Sequence, residues 1–222
     1  MARSPSALPA RSRPAGADSV QSSRRLLRRL SDENLALTRE LEELRLLRRL
    51  AHQDTLTGLP NRRLCEERLT EELSRARRDP TSRGSLLVVD VNDLKLVNDR
   101  LGHKAGDDLL RDVAAVLRRG LRTADLCCRT GGDEFMILLP DTDARGARPV
   151  MARLRAGVIR AGSRLNVSVS ISIGSASWPV DGQDPTKLVE KADRAMYVEK
   201  RRLRAHARRR PPKFGGKLEL VR

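Results

Sequence analysis

The chain has 222 residues and a formal net charge of +16 at pH 7, enough for one ordinary domain with flanks. Residues 1–30 carry a net +6 and residues 200–222 a net +9, which leaves only +1 for residues 31–199. A nucleic-acid-binding core is thereby excluded as the main function. The excess charge belongs to two ends that read as solvated tails, for which salt-sensitive contact with polyanions is a side property.

Residues 1–23, rich in Ser, Pro, Ala and Arg without an apolar period, read as a disordered basic tail. From residue 24 to 52 the pattern changes. Leu27, Leu30, Asn34, Leu37, Leu41 and Leu44 alternate spacings of three and four, the seam of a coiled coil. Asn34 lies on that seam, where one buried amide fixes register and favours two strands, so a homodimer is expected. The other reading of the stretch is an amphipathic helix lying on its own domain.

Asp54-Thr55-Leu56-Thr57-Gly58-Leu59-Pro60-Asn61 breaks the helix, and a second helix is predicted over residues 61–78. Ser85 to Val91 is a short, β-branched apolar run ending in Asp90-Val91, the mark of a strand covered on both faces. A helix follows over 105–119, after the turn holding Gly102 and Gly106. Strands near 125–129 and over 134–139 flank the pair Gly131-Gly132. The remaining elements are a helix over 143–161, a strand over 166–176 and a helix over 184–204, followed by a basic tail from 205 to 222. Strands alternating with helices predict an α/β or α+β sheet layered with helices.

Cys65, Cys127 and Cys128 form an odd set without metal-ligand spacing. Neighbours in a strand point to opposite faces, so no disulfide joins Cys127 to Cys128. A reducing cytoplasm fits this usage. No apolar run approaches the ~20 residues that cross a bilayer.

The stretch Arg129-Thr130-Gly131-Gly132-Asp133-Glu134-Phe135 puts adjacent acids on a turn. Glycine tolerates the positive φ of a tight hairpin, and its bare backbone admits a bulky ligand. Asp90 supplies a third acid at a strand's end. Like charges brought together repel unless a cation neutralises them, and an oxygen-only donor set suits Mg²⁺ shared with substrate phosphates. The other reading is a surface hairpin ending in solvated acids, because spacing alone does not bring the three together.

Further blocks accompany this turn: Asp54 to Arg62; Asp90 to Asp99 followed by Gly102-His103 and Gly106-Asp107; Ser172-Ile173-Gly174; and Ala192-Asp193 with Ala195-Met196-Tyr197. With Gly131 to Phe135 they resemble, over about residues 53–204, the GGDEF domain of diguanylate cyclases. The resemblance implies a nucleotidyl-cyclase or palm-like domain, with a mainly antiparallel central sheet flanked by helices. It implies an enzyme that joins two GTP into cyclic di-GMP and releases two pyrophosphates across a dimer.

Carried over, Asp90, the carbonyl of Val91, Asp133 and Glu134 would hold two Mg²⁺ or Mn²⁺ ions, and Asp133 or Glu134 would take the hydroxyl proton. Asn98 and Asp107 match the readers of guanine, and His103 lies in their block. Lys95, Lys200 and Arg204 match cations on the triphosphate. Arg122 and Asp125, with Arg153, match a product-inhibition site for cyclic di-GMP. The departures are Asn92, where an acid is frequent, and Leu94, where Phe is frequent. The alternative is a non-catalytic domain that binds GTP or cyclic di-GMP, but such relatives usually lose one of the acids retained here.

Overall fold

A computed structural model describes residues 15–164 and 169–209. The chain divides into two compact units, Met1–Ala51 and His52–Arg222. The first contains nearly all of helix α1 (Ala15–His52). No proline interrupts the chain between Pro14 and Pro60, so nothing breaks the backbone ladder, and the helix begins well before the expected residue 24. Thus the last nine residues of the expected disordered tail are helical, while 1–14 lie outside the described residues. The seam leucines Leu27, Leu30, Leu37, Leu41 and Leu44 are 46–66% exposed. Asn34 donates to its own helix, Nδ2 to Leu30 O at 3.0 Å.

The second unit is built on α2 (Arg62–Arg78), β1 (Gly84–Val91), α3 (Leu94–Leu101), α4 (His103–Arg119), β2 (Leu126–Arg129), β3 (Glu134–Pro140), α5 (Ala144–Arg164), β4 (Ile171–Trp178) and α6 (Pro185–Arg209). Its sheet has the order β2-β3-β1-β4 and its strand pairings are antiparallel, in line with the mainly antiparallel sheet that the resemblance implies. All eight residues of β1 are buried, which is why it reads as an unbroken apolar run.

Alternation along the strands divides the core. Leu87, Val89, Phe135, Ile137, Cys127 and Ile173 pack with residues of α3, α4 and α5. Leu86, Val88, Met136, Leu138, Cys128 and Trp178 pack with residues of α2 and α6. Cys127 and Cys128 thus face opposite layers, and all three cysteines are free and buried. Burial pushes the Cys127 thiol up to about 12. Cys128 is raised chiefly by its hydrogen bond with Cys65 and then by burial. Both remain protonated thiols that act as small core residues.

Several elements differ from expectation. The sequence predicted no helix between Asp90 and Gly102, yet α3 forms there, entered through Asp93 in the left-handed region (φ 61°). Gly102 (φ 85°) ends α3 and opens α4, a backbone angle that favours glycine. Strand β4 runs from Ile171 to Trp178: it ends two residues past its expected end, and residues 169 and 170, expected to be strand, lie before it, with 165–168 outside the described residues. Helix α6 carries five residues of the expected tail, to Arg209; residues 210–222 lie outside the described part.

Candidate active site

The acids meet at one end of the two central strands. Antiparallel register sets Asp90 opposite Glu134, and the Val91 N–H donates to Asp133 O at 2.9 Å. Asp90 is 4% exposed. Its Oδ2 accepts from Lys200 Nζ at 2.5 Å, whereas its Oδ1 is buried without a hydrogen-bond partner. Burial pushes the Asp90 carboxyl above the usual carboxylate range. The Lys200 bond and charge oppose that shift, the like charge of Asp133 adds to it, and Arg204 pulls it back down. Lys200 and Arg204, one turn apart on α6, therefore both act on this carboxylate.

The Gly-Gly turn is built for closeness. Neither Gly131 nor Gly132 has a positive φ, so the expected conformational reason for them is corrected. A Cβ on Gly131 would lie 2.7 Å from Glu134 Oε2: the Glu134 side chain folds back over its own turn and needs bare backbone there. Thr130 N–H donates to Glu134 O at 2.9 Å and closes the hairpin. Arg129 anchors it, donating to both oxygens of Asp54 (3.0 and 3.1 Å) and to Gly132 O (2.8 Å). Asp54 in turn accepts from the Thr57 N–H and hydroxyl. The segment at 54–62 therefore acts as a brace for the acidic turn. Arg62 extends it, donating to Thr130 O at 3.0 Å, with its guanidinium 3.9 Å from Glu134 Oε2.

Asn98 lies on α3 with its Oδ1 buried and unsatisfied. That oxygen rests against Gly106, where a Cβ would overlap it. Asp107, the next residue, is exposed on α4. The two expected guanine readers thus flank one helix–helix junction. His103 opens α4 and Lys95 lies on α3, both exposed. Asn92, where the resemblance favours an acid, bridges strand ends. Its Nδ2 donates to Ser170 Oγ at 3.0 Å and its Oδ1 accepts from Ser172 Oγ at 2.9 Å.

A metal is compatible with these donors. Asp90 Oδ1 is an oxygen donor without a partner, on a carboxyl whose other oxygen is held by the Lys200 ammonium. Among the described residues no three His, Cys, Asp or Glu side chains are grouped closely enough to hold an ion by themselves. Carbonyls and substrate oxygens would have to complete its sphere, as Mg²⁺ sites on phosphates commonly do.

Arg122 and Asp125 line a cavity of about 350 Å³ with Leu59, Pro60 and Thr123. Asp125 Oδ2 accepts from the Arg122 backbone N–H at 2.9 Å, so the acid closes a turn. Arg153 lines a neighbouring cavity and donates twice to Gly120 O, at 2.9 and 2.7 Å.

The family model described as "Diguanylate cyclase, GGDEF domain" matches residues 51–206. Diguanylate cyclase TpbB of Pseudomonas aeruginosa is 40% identical over 188 residues, covering 81% of this chain and 40% of that protein. The chain therefore spans about two fifths of that relative's length. Among solved structures, the coiled coil and GGDEF domain of DgcB from Caulobacter crescentus, in complex with c-di-GMP, superposes with TM-score 0.69. It shares 29% identity and covers 79% of this chain and 94% of that one. Diguanylate cyclase SiaD of Pseudomonas aeruginosa, in complex with its activator SiaC, gives TM-score 0.65 at 37% identity, covering 84% of this chain and 72% of its own.

Proposed function

Since this chain belongs to the GGDEF-domain family of diguanylate cyclases, we propose that it condenses two GTP into cyclic di-GMP and releases two pyrophosphates. The observation that carries this reading is the register of β1 against β3, which gathers Asp90, Asp133 and Glu134 at one strand end. A non-catalytic nucleotide-binding role has no comparable support, because all three acids are present.

On this reading Asn98 Oδ1 and the Asp107 carboxylate accept the N1 and N2 protons of guanine, a donor pattern adenine lacks. Lys95, Lys200 and Arg204 neutralise the triphosphate; Lys200 leaves Asp90 for that task. His103 borders the base site. Asp90, the Val91 carbonyl, Asp133 and Glu134 would hold two Mg²⁺ or Mn²⁺ ions. When bound, these supply charge stabilisation at the α-phosphate and the departing pyrophosphate. Asp133 or Glu134 accepts the proton of the attacking 3′-hydroxyl.

Each domain holds one GTP, so two copies must face each other, and the gain comes from proximity and orientation. The exposed leucine seam of α1 supports a homodimer held by a coiled coil. Arg122 and Asp125, assisted by Arg153, bind cyclic di-GMP and inhibit; the paired donors of an arginine fork suit phosphate and guanine alike.

The test is purified protein with GTP and Mg²⁺, followed for cyclic di-GMP and pyrophosphate, beside Asp133→Ala. Formation of both products by the parent, and a loss of at least about 100-fold in the variant, is expected for a residue acting at the reacting atoms. No product from a GTP-binding parent protein would overturn the catalytic reading.

A further inference from the structure

Lys200 reaches Asp90 from α6, and besides the buried Leu188, Ala192 and Met196 two contacts close to Lys200 bear on where that helix lies over the sheet. At Gly174 on β4 a Cβ would overlap the Ala192 carbonyl oxygen and the Met196 amide nitrogen. Helix backbone therefore lies directly on strand backbone there. Close approach fixes the separation of the two elements but resists sliding weakly.

The second contact is polar and directional. Glu199 Oε2 accepts the Ile173 N–H at 2.7 Å and Arg155 Nη2 at 2.9 Å. Strand β4 is the sheet's edge, so this backbone N–H faces away from β1 and has no strand to receive it. One carboxylate thus ties α6 to β4 and, through Arg155, to α5. The arginine and the glutamate are 30% and 23% exposed, so the pair is partly shielded. The next residue in the helix is Lys200, 17% exposed at its side chain and bonded to Asp90.

We propose that Glu199, held by Arg155, is a positioning residue that sets where Lys200 presents its ammonium group. A helix advances 1.5 Å and turns about 100° per residue. A bond fixed at position 199 therefore fixes both height and azimuth at position 200. Without it, small slides of α6 along the Gly174 notch carry Lys200 off Asp90. The consequence for substrate binding rests on the reading of Lys200 as a triphosphate contact; the effect on Asp90 does not.

The experiment is competitive acetylation of lysine amines in the nucleotide-free full chain, read by mass spectrometry. Lys191, ion-paired with Asp181 on the same helix, is the internal standard. Glu199→Ala is expected to raise Lys200 labelling relative to Lys191 by about three- to tenfold, the loss of a charge-assisted bond. Glu199→Gln keeps an oxygen for the Ile173 N–H and stays within about twofold of the parent. Arg155→Met, a second route should Glu199→Ala not fold, gives an intermediate rise.

With GTP, Glu199→Ala is expected to raise KM about tenfold and leave kcat within about threefold, the pattern of lost binding common to ground and transition states. A lowered melting temperature with unchanged Lys200 labelling would overturn the proposal and leave Glu199 a purely structural ion pair. An inactive parent protein would fault the catalytic reading alone, because the labelling result stands by itself.

Discussion

Asp54 is far from the acidic turn in sequence, yet three groups on two neighbouring residues favour its ionised form. Burial raises its pKa, but the Thr57 hydroxyl, the Thr57 N–H and the Arg129 guanidinium outweigh burial and leave the carboxyl below its ordinary value. A depressed carboxylate contributes stability that is present above its unfolded pKa of 3.8 and is lost as pH falls through its lower folded value. Asp54→Asn should therefore cost about 1.5–3 kcal/mol at pH 7, a typical value for bonds to a charged group, and progressively less as the pH falls below 3.8. Thermal melts of both proteins across pH check it; a gap that does not narrow in acid would refute the assignment. Gly106 bears on the site more directly. Gly106→Ala pushes a methyl into Asn98 Oδ1 and should weaken GTP binding about tenfold, the worth of one good hydrogen bond. Titration of GTP into the two proteins decides this. The chain sequence contains all of these side chains, but it does not reveal that Asn98 Oδ1 and Asp90 Oδ1 are left without partners, because satisfaction is a property of the packed neighbourhood.

At the scale of elements, most strands and helices were legible from periodicity, since β1 is buried on both sides and the amphipathic helices have clear apolar stripes. The short helix α3 was missed because its eight residues span only about two turns, too few for the helical period to declare itself. The meeting of α6 with β4 was also hidden. Nothing local in Ser172-Ile173-Gly174 reveals that helix backbone rests on the glycine. Gly174→Ala must push α6 from the sheet, because the overlapping atoms are backbone and cannot rotate aside. A loss above about 3 kcal/mol is expected, at the upper end for overpacking. Chemical denaturation measures it, and a change below about 1 kcal/mol would mean the notch does not set the spacing. The convergence of Asp90 with the acidic turn was expected from resemblance and follows physically from antiparallel register, which no count along the chain supplies.

For the whole molecule, the leucines of α1 and Arg122 of the domain carry separate predictions. Replacing Leu37 and Leu41 with Glu puts charge on the seam. Cyclic di-GMP synthesis should fall at least about tenfold while GTP binding survives, because the loss is one of orientation between copies. Sedimentation, turnover and nucleotide titration on the same variant separate these effects, and undiminished turnover would sink the dimer reading. Arg122→Ala should leave initial rates unchanged and relieve inhibition by added cyclic di-GMP. Inhibition that persists would count against the Arg122 cavity.

The bond from Lys200 to Asp90 also bears on how the fold holds together with its site empty. Asp90 is a buried carboxylate near a second acid, Asp133, yet it already has a resident positive charge. The fold thereby brings its own placeholder. If the proposed synthesis holds, a chelator should silence it in the cyclic di-GMP assay without shifting the melting temperature, and restored divalent ions should restart it without a refolding delay.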